Sequence, residues 1–95
     1  MTTEPAEARL KRLKMRSWRR GTKEMDLILG PFSDTELTGM NDVDLKCYDA
    51  LLNENDQDLY LWVTGQGPPP ADIAGLIAKV STFAGIQVSG PGAAR

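Results

Sequence analysis

The chain has 95 residues, of which 41% are hydrophobic and 25% are charged, and its formal net charge is −2. These values are ordinary for one globular domain. The sequence contains no histidine and one cysteine, Cys47, which excludes His-based acid–base chemistry, an internal disulfide and a Cys/His zinc cluster.

The first predicted helix covers residues 7–18, where apolar residues recur at spacings of three and four. Its apolar face consists of Leu10, Leu13, Ser17 and Trp18. We expect Gly21 to adopt the left-handed conformation that ends a helix, and Thr22 to cap the next one.

The second predicted helix begins near Lys23, and its apolar stripe consists of Met25, Ile28, Leu29 and Phe32. Because proline cannot donate a backbone hydrogen bond, Gly30-Pro31 is expected to kink or stop this helix. A shorter helical turn is expected to follow through Leu37. The third helix is expected to start after Asn41 as its cap and to bury Leu45, Tyr48, Leu51 and Leu52.

The fourth predicted helix begins with Asp56 as its cap and runs through Val63, and Gly65 and Gly67 end it. Within this helix, Trp62 is expected to be a core anchor. The fifth helix is expected to open at Pro70 or Ala71 after a run of prolines, and its buried face comprises Ile73, Leu76, Ile77, Val80 and Phe83.

These elements predict an all-α fold, a compact five-helix bundle. The domain is expected to occupy residues 7–86, with a flexible N-terminus at residues 1–6 and a disordered tail at residues 87–95. Cys47 lies beside the apolar face of the third helix, and we expect it to be a small core residue, because no histidine is available to activate it.

The most informative segment is the corner, residues 19–24, which joins the first two helices (RRGTKE). Taken alone, it fits a solvated arginine and a helix-starting glutamate around an ordinary glycine cap, because surface ion pairs are common and weak. The other interpretation is a docking surface. Gly21 leaves a backbone site that has no side chain, and the planar guanidinium of Arg20 can bind a carboxylate or carbonyl.

The corner carries Arg20, Gly21 and Glu24 in the order and spacing Arg-Gly-x-x-Glu. Residues 56–62 (DQDLYLW) have the form Asp-x-Asp-Leu-aromatic-x-Trp, and Gly67-Pro68 precedes the last helix. With these motifs, the stretch from Arg16 to Phe83 resembles the SdhE family of bacterial FAD assembly factors, which is related to mitochondrial succinate dehydrogenase assembly factor 2.

The resemblance implies a five-helix protein that binds the flavoprotein subunit of succinate dehydrogenase, and in some bacteria that of fumarate reductase. It implies a chaperone that is not an enzyme and holds no cofactor stably, since FAD becomes attached to a histidine of the client. Carried over residue by residue, it assigns client binding to Arg20, Gly21 and Glu24, with Arg19 and Asp26 as contributing neighbours.

Two alternatives of another class stay open. One is a regulatory interaction module such as a CptB-type antitoxin, a label that family members have carried. The other is a nucleic-acid binder, since eight of the eleven Lys and Arg residues lie within residues 1–24. We expect no nucleic-acid binding, because the sequence pI near 5.0 differs from the usual basic footprint. We also expect a monomer in the cytoplasm that does not insert into the membrane.

Overall fold

The computed structural model describes residues 5–85, and within them the chain forms five α-helices and no strand. They are α1 (Ala6–Trp18), α2 (Lys23–Glu36), α3 (Asp42–Leu52), α4 (Asp56–Val63) and α5 (Ala74–Ala84), with a 3₁₀ turn (Leu37–Gly39) after α2. The predicted all-α five-helix fold is confirmed. The predicted short turn through Leu37 is wrong in position, because the residues before Leu37 belong to α2 and the 3₁₀ turn begins at Leu37. Of the predicted N-terminal segment 1–6 only Pro5 and Ala6 are described, and the predicted tail 87–95 lies outside the described residues.

Side-chain caps start three of the helices. Thr22 accepts a hydrogen bond from the Met25 amide at 3.3 Å, and Asn41 accepts one from Asp44 at 2.8 Å, as predicted. The cap of α4 was wrongly predicted, because Asn55 accepts from the fourth helix's third residue, Asp58, at 2.8 Å. Asp56 is instead the first residue of α4, which leaves its carboxylate free for another role.

Two predicted boundaries are wrong. Helix α2 continues through Pro31 to Glu36, although Pro31 cannot donate to the Leu27 carbonyl. The apolar side chains on both sides of the proline are buried, and this packing outweighs the lost hydrogen bond. Helix α5 begins at Ala74, later than predicted, and Ile73 precedes it without a side-chain cap.

One continuous core joins all five helices. Its buried apolar side chains are Leu13, Met25, Leu29, Phe32, Leu37, Leu45, Tyr48, Leu51, Leu52, Leu59, Val63, Ile73, Leu76, Ile77 and Val80. Tyr48 stacks on Phe32 with ring centroids 5.7 Å apart, and its hydroxyl lies 2.6 Å from Ser17 Oγ. Because Ser17 donates to the Leu13 carbonyl, Tyr48 donates to Ser17. Burial raises the pKa of Tyr48 to about 12.

The predicted buried face of α3 is confirmed, but three aromatic side chains elsewhere are less buried than expected. Phe83 is exposed and touches Phe32 edge-on, with centroids 5.6 Å apart. Trp62 is partly buried against the core. Trp18 is exposed on one side and covers Gly30 of α2 on the other, so closely that a Cβ on Gly30 would overlap the indole ring. The Trp18 ring at the end of α1 therefore packs directly against the α2 backbone at Gly30.

None of the helices in the described part of the chain is long and apolar enough to cross a membrane.

Candidate functional site

The two sequence motifs, separated by more than thirty residues, meet in space at the corner. The Arg20 guanidinium pairs with the Asp56 carboxylate, with Nε and Oδ1 2.7 Å apart. Arg20 belongs to the Arg-Gly-x-x-Glu motif and Asp56 opens the second motif. Their side chains are only 10% and 11% exposed, so this ion pair is largely shielded from water. The pair therefore connects the loop between α1 and α2 with the start of α4.

Arg20 also binds the end of α3. Its Nη1 donates to the Leu52 carbonyl at 2.9 Å, and its Nη2 donates to the Glu54 carbonyl at 2.9 Å. A cation at a helix C-terminus and an anion at a helix N-terminus each interact favourably with the helix dipole, and Arg20 and Asp56 occupy these places at α3 and α4. The solvated arginine of the simpler interpretation is therefore wrong, because Arg20 fastens the corner to the junction of α3 and α4.

Gly21 has a different role from the predicted helix cap. Its φ is not positive, and the residue that ends α1 is Arg19, so the expected left-handed conformation is wrong. The Gly21 amide instead donates to Asp56 Oδ2, and a Cβ at Gly21 would lie 3.0 Å from that oxygen. The glycine is needed because the carboxylate approaches the backbone closely here. Gly21 remains exposed on its other side.

Asp26 completes the internal bracing of the corner. Its Oδ1 accepts a hydrogen bond from the Arg20 backbone amide at 2.5 Å. Together with the Thr22 cap, this bond fixes the path of the chain from α1 into α2. Of the five residues predicted to bind a partner, Arg20, Gly21 and Asp26 are therefore held by bonds within the chain.

The remaining two predicted residues point outward. Arg19 and Glu24 are exposed, and neither has a hydrogen-bond or ion-pair partner among residues 5–85. The structure thus divides the predicted site into an internal brace and an exposed charged rim.

Sequence reasoning missed the part of this surface that α4 contributes. An open pocket of about 420 Å³ lies between the corner and α4, and we call it the corner pocket. Its lining residues are Thr22, Glu24, Asp56, Gln57, Tyr60 and Leu61. A signal for this surface was present in the sequence. The buried face of α4 carries Leu59 and Val63, and an amphipathic helix would have polar residues on its other face, yet Tyr60 and Leu61 lie there.

The basic residues of α1 are mostly paired with α3. Arg9 contacts Asp42 at 2.7 Å, while Arg12 and Arg16 contact Asp49 at 2.9 Å and 2.7 Å. The hydrogen bond and charge of Arg9 lower the pKa of Asp42, and the hydrogen bond from Arg12 is the main cause of a lowered pKa at Asp49. These arginines hold α1 on α3, which weakens the interpretation of α1 as a free cationic surface for nucleic acid.

Within residues 5–85, no three His, Cys, Asp or Glu side chains lie close enough together to hold a metal ion. Cys47 is half-buried, and its thiol donates to the Asp72 carbonyl at 3.3 Å. Burial, followed by the charges of Asp72 and Asp44, raises the pKa of this thiol. A raised pKa disfavours the thiolate and so reduces the reactivity of Cys47.

A known protein family matches the stretch of this chain that contains both motifs. The model of a family described as flavinator of succinate dehydrogenase matches residues 11–84. A protein of Aspergillus flavus named succinate dehydrogenase assembly factor 2, mitochondrial, is 48% identical over 61 residues, or 64% of this chain and 20% of that protein. A Saccharomyces cerevisiae protein of the same name is 44% identical over 63 residues, or 66% of this chain and 39% of that protein. The chain spans well under half the length of these two relatives.

Proposed function

The chain belongs to the family described as flavinator of succinate dehydrogenase, and on this premise we propose that it promotes covalent attachment of FAD to the flavoprotein subunit of that enzyme. The flavoprotein subunit of fumarate reductase is a second client under the same proposal. We propose a chaperone role in which the flavin bond forms within the client and this chain supplies no reacting group. Cytoplasmic action stays a prediction, and the relatives are named as mitochondrial.

The observation that carries the proposal is the convergence of the two motifs on one exposed corner. Arg20 and Asp56 lie in different motifs and form the ion pair that shapes this surface. Arg19, Gly21 and Glu24 stand exposed on it. Internal hydrogen bonds hold the backbone of the corner, while its outward side chains have no partner within residues 5–85. Such a surface suits the binding of another protein, because little conformational entropy is lost when it associates.

A physical mechanism follows from differential binding. A ligand shifts a conformational equilibrium only by as much as it binds one state better than another. We propose that the corner binds the client conformation in which flavin and acceptor side chain are adjacent, and so raises the population of that conformation. In this scheme Arg20, Gly21 and Asp26 position the corner, whereas Glu24 and Arg19 contact the client.

A reconstituted flavinylation assay tests the proposal. Purified flavoprotein subunit lacking flavin is incubated with FAD, with and without the chain, and covalent flavin fluorescence is read on a denaturing gel. We expect the chain to raise the covalent signal. The variant Gly21→Leu should lose most of this effect, because a side chain there would displace Asp56 and cover the corner.

Gly39→Leu is the matched control, since Gly39 lies in the 3₁₀ turn and a Cβ there has no neighbour within 4 Å among the described atoms. Circular dichroism should show both variants to be helical. An unchanged covalent signal on adding the wild-type chain would refute the function, and full activity of Gly21→Leu would refute the assignment of the corner.

A further inference from the structure

The corner pocket combines exposed apolar side chains with a single unpaired carboxylate. Tyr60 and Leu61 of α4 are 39% and 41% exposed and line the pocket. Leu27, which is 59% exposed, lies three residues after Glu24 and therefore on the same side of α2. Adjacent exposed apolar residues of this kind commonly mark an interaction surface.

The charges at the pocket are unbalanced in one direction. Among its lining residues only Glu24 and Asp56 carry charge, and both are acidic. Asp56 is already neutralised by Arg20 and also accepts from the Gly21 amide. Glu24 has no hydrogen-bond or ion-pair partner within residues 5–85, so it is the one lining charge available to pair with a group of a bound partner. A visiting cation would complement it.

We infer that the corner pocket receives a cationic side chain of the client flavoprotein, with its charge on Glu24 and its stem on Tyr60 and Leu61. The inference rests on the proposed function and names the chemistry of its contact. Arginine fits this combination best, because its planar guanidinium pairs with a carboxylate and also stacks on an aromatic face. The aliphatic stem of such a side chain buries apolar surface while its head stays polar.

Binding of purified flavoprotein subunit to the chain, measured by biolayer interferometry, tests the inference. Glu24→Gln keeps the shape of the side chain and removes its charge, and we expect about a tenfold weaker affinity with a smaller dependence on salt. Tyr60→Phe should bind more tightly than Tyr60→Leu, since only the aromatic ring attracts a cation through its face. Glu36→Gln, at the far end of α2, is the matched control and should bind as the wild type does.

A photoreactive residue in place of Leu61 identifies the visitor directly. After irradiation of the complex, the cross-linked client peptide is expected to contain an arginine or a lysine. A cross-linked segment that is acidic or wholly apolar would overturn the inference. So would affinities of Glu24→Gln and Tyr60→Leu equal to that of the wild type.

The results separate the inference from the proposed function. If the wild-type chain raises covalent flavin while the pocket variants bind normally, the function stands and the cation assignment falls. If the wild-type chain neither binds the flavoprotein subunit nor raises its covalent flavin, both are overturned. Loss of binding in Glu24→Gln, with an unchanged melting temperature, supports both.

Discussion

Removal of the Asp56 carboxylate should destabilise the whole domain, because this carboxylate joins the start of α4 to the corner, and Arg20 of the corner also holds the end of α3. Asp56→Ala leaves the Arg20 guanidinium without its counter-charge and the Gly21 amide without its acceptor. Breaking a buried ion pair by removing one partner costs about 3–5 kcal/mol. Arg20 keeps its bonds to the Leu52 and Glu54 carbonyls, so we expect the lower value, about 3 kcal/mol.

Thermal unfolding followed by circular dichroism measures this loss. For a domain of this size each kcal/mol lowers Tm by about 4–8 °C, so Asp56→Ala should melt at least about 12 °C below the wild type. Asp42→Ala is the matched control, because it also removes an arginine partner at 2.7 Å, but Asp42 is 63% exposed. Its Tm should stay close to the wild-type value. Equal Tm shifts for the two variants would refute the claim that the Arg20–Asp56 pair braces the corner.

Three further predictions concern packing and pH. Gly30→Ala should destabilise the wild type, because the new methyl group overlaps the Trp18 ring, but it should stabilise the Trp18→Ala variant by about 1 kcal/mol, because alanine has a higher helix propensity than glycine. Melting curves of the wild type, the two single variants and the double variant measure both effects. A change in stability of the same sign in both backgrounds would contradict the prediction. Tyr48→Phe should cost about 1 kcal/mol in denaturant unfolding, since the hydroxyl bond to Ser17 is lost and the ring is kept; no loss would show that this bond is not stabilising. The arginines of α1 lower the pKa of Asp49 in the folded protein. The charged Asp49 carboxylate therefore stabilises the folded state above its unfolded-state pKa, and this contribution is lost as the pH falls through its folded-state pKa. Wild type and Asp49→Asn should therefore differ in Tm at pH 7, and the difference should shrink as the pH falls below the ordinary aspartate pKa of about 3.9, whereas a constant difference would contradict the assignment.

Local sequence patterns predicted what depends on near neighbours. The spacing of Leu45, Tyr48, Leu51 and Leu52 predicts one buried helical face, and all four are buried. The caps Thr22 and Asn41 follow from side chains that reach an amide three residues on. Such relations involve a single turn of helix, so the sequence alone is sufficient to reveal them.

The errors arose where tertiary contacts decide the outcome. Burial on both sides of Pro31 keeps α2 helical past a residue that disfavours helices. The role of Arg20 depends on Asp56, which is 36 residues away, and no periodic pattern relates two such positions. Asp56 pairs with Arg20 and does not cap α4, a function that Asn55 performs instead.

Sequence patterns predicted where the corner lies, but not which residues of α4 border it. Residues 19–24 do form an exposed corner, and Glu24 and Arg19 face outward. The sequence does show that Tyr60 and Leu61 are apolar at positions outside the buried face of α4, but it does not show that they border the corner, because that requires knowing that α4 packs beside the start of α2. Their role in client binding stays a prediction.

Nuclear magnetic resonance tests, residue by residue, whether the corner and the adjoining face of α4 bind the flavoprotein subunit. Unlabelled flavoprotein subunit is titrated into the ¹⁵N-labelled chain. We predict that amide signals of residues 21–24 and 60–61 lose intensity first, while those of Val43 and Lys79, exposed on α3 and α5, persist longest. Intensity losses confined to α3 and α5, or no change at any amide, would contradict binding at this surface.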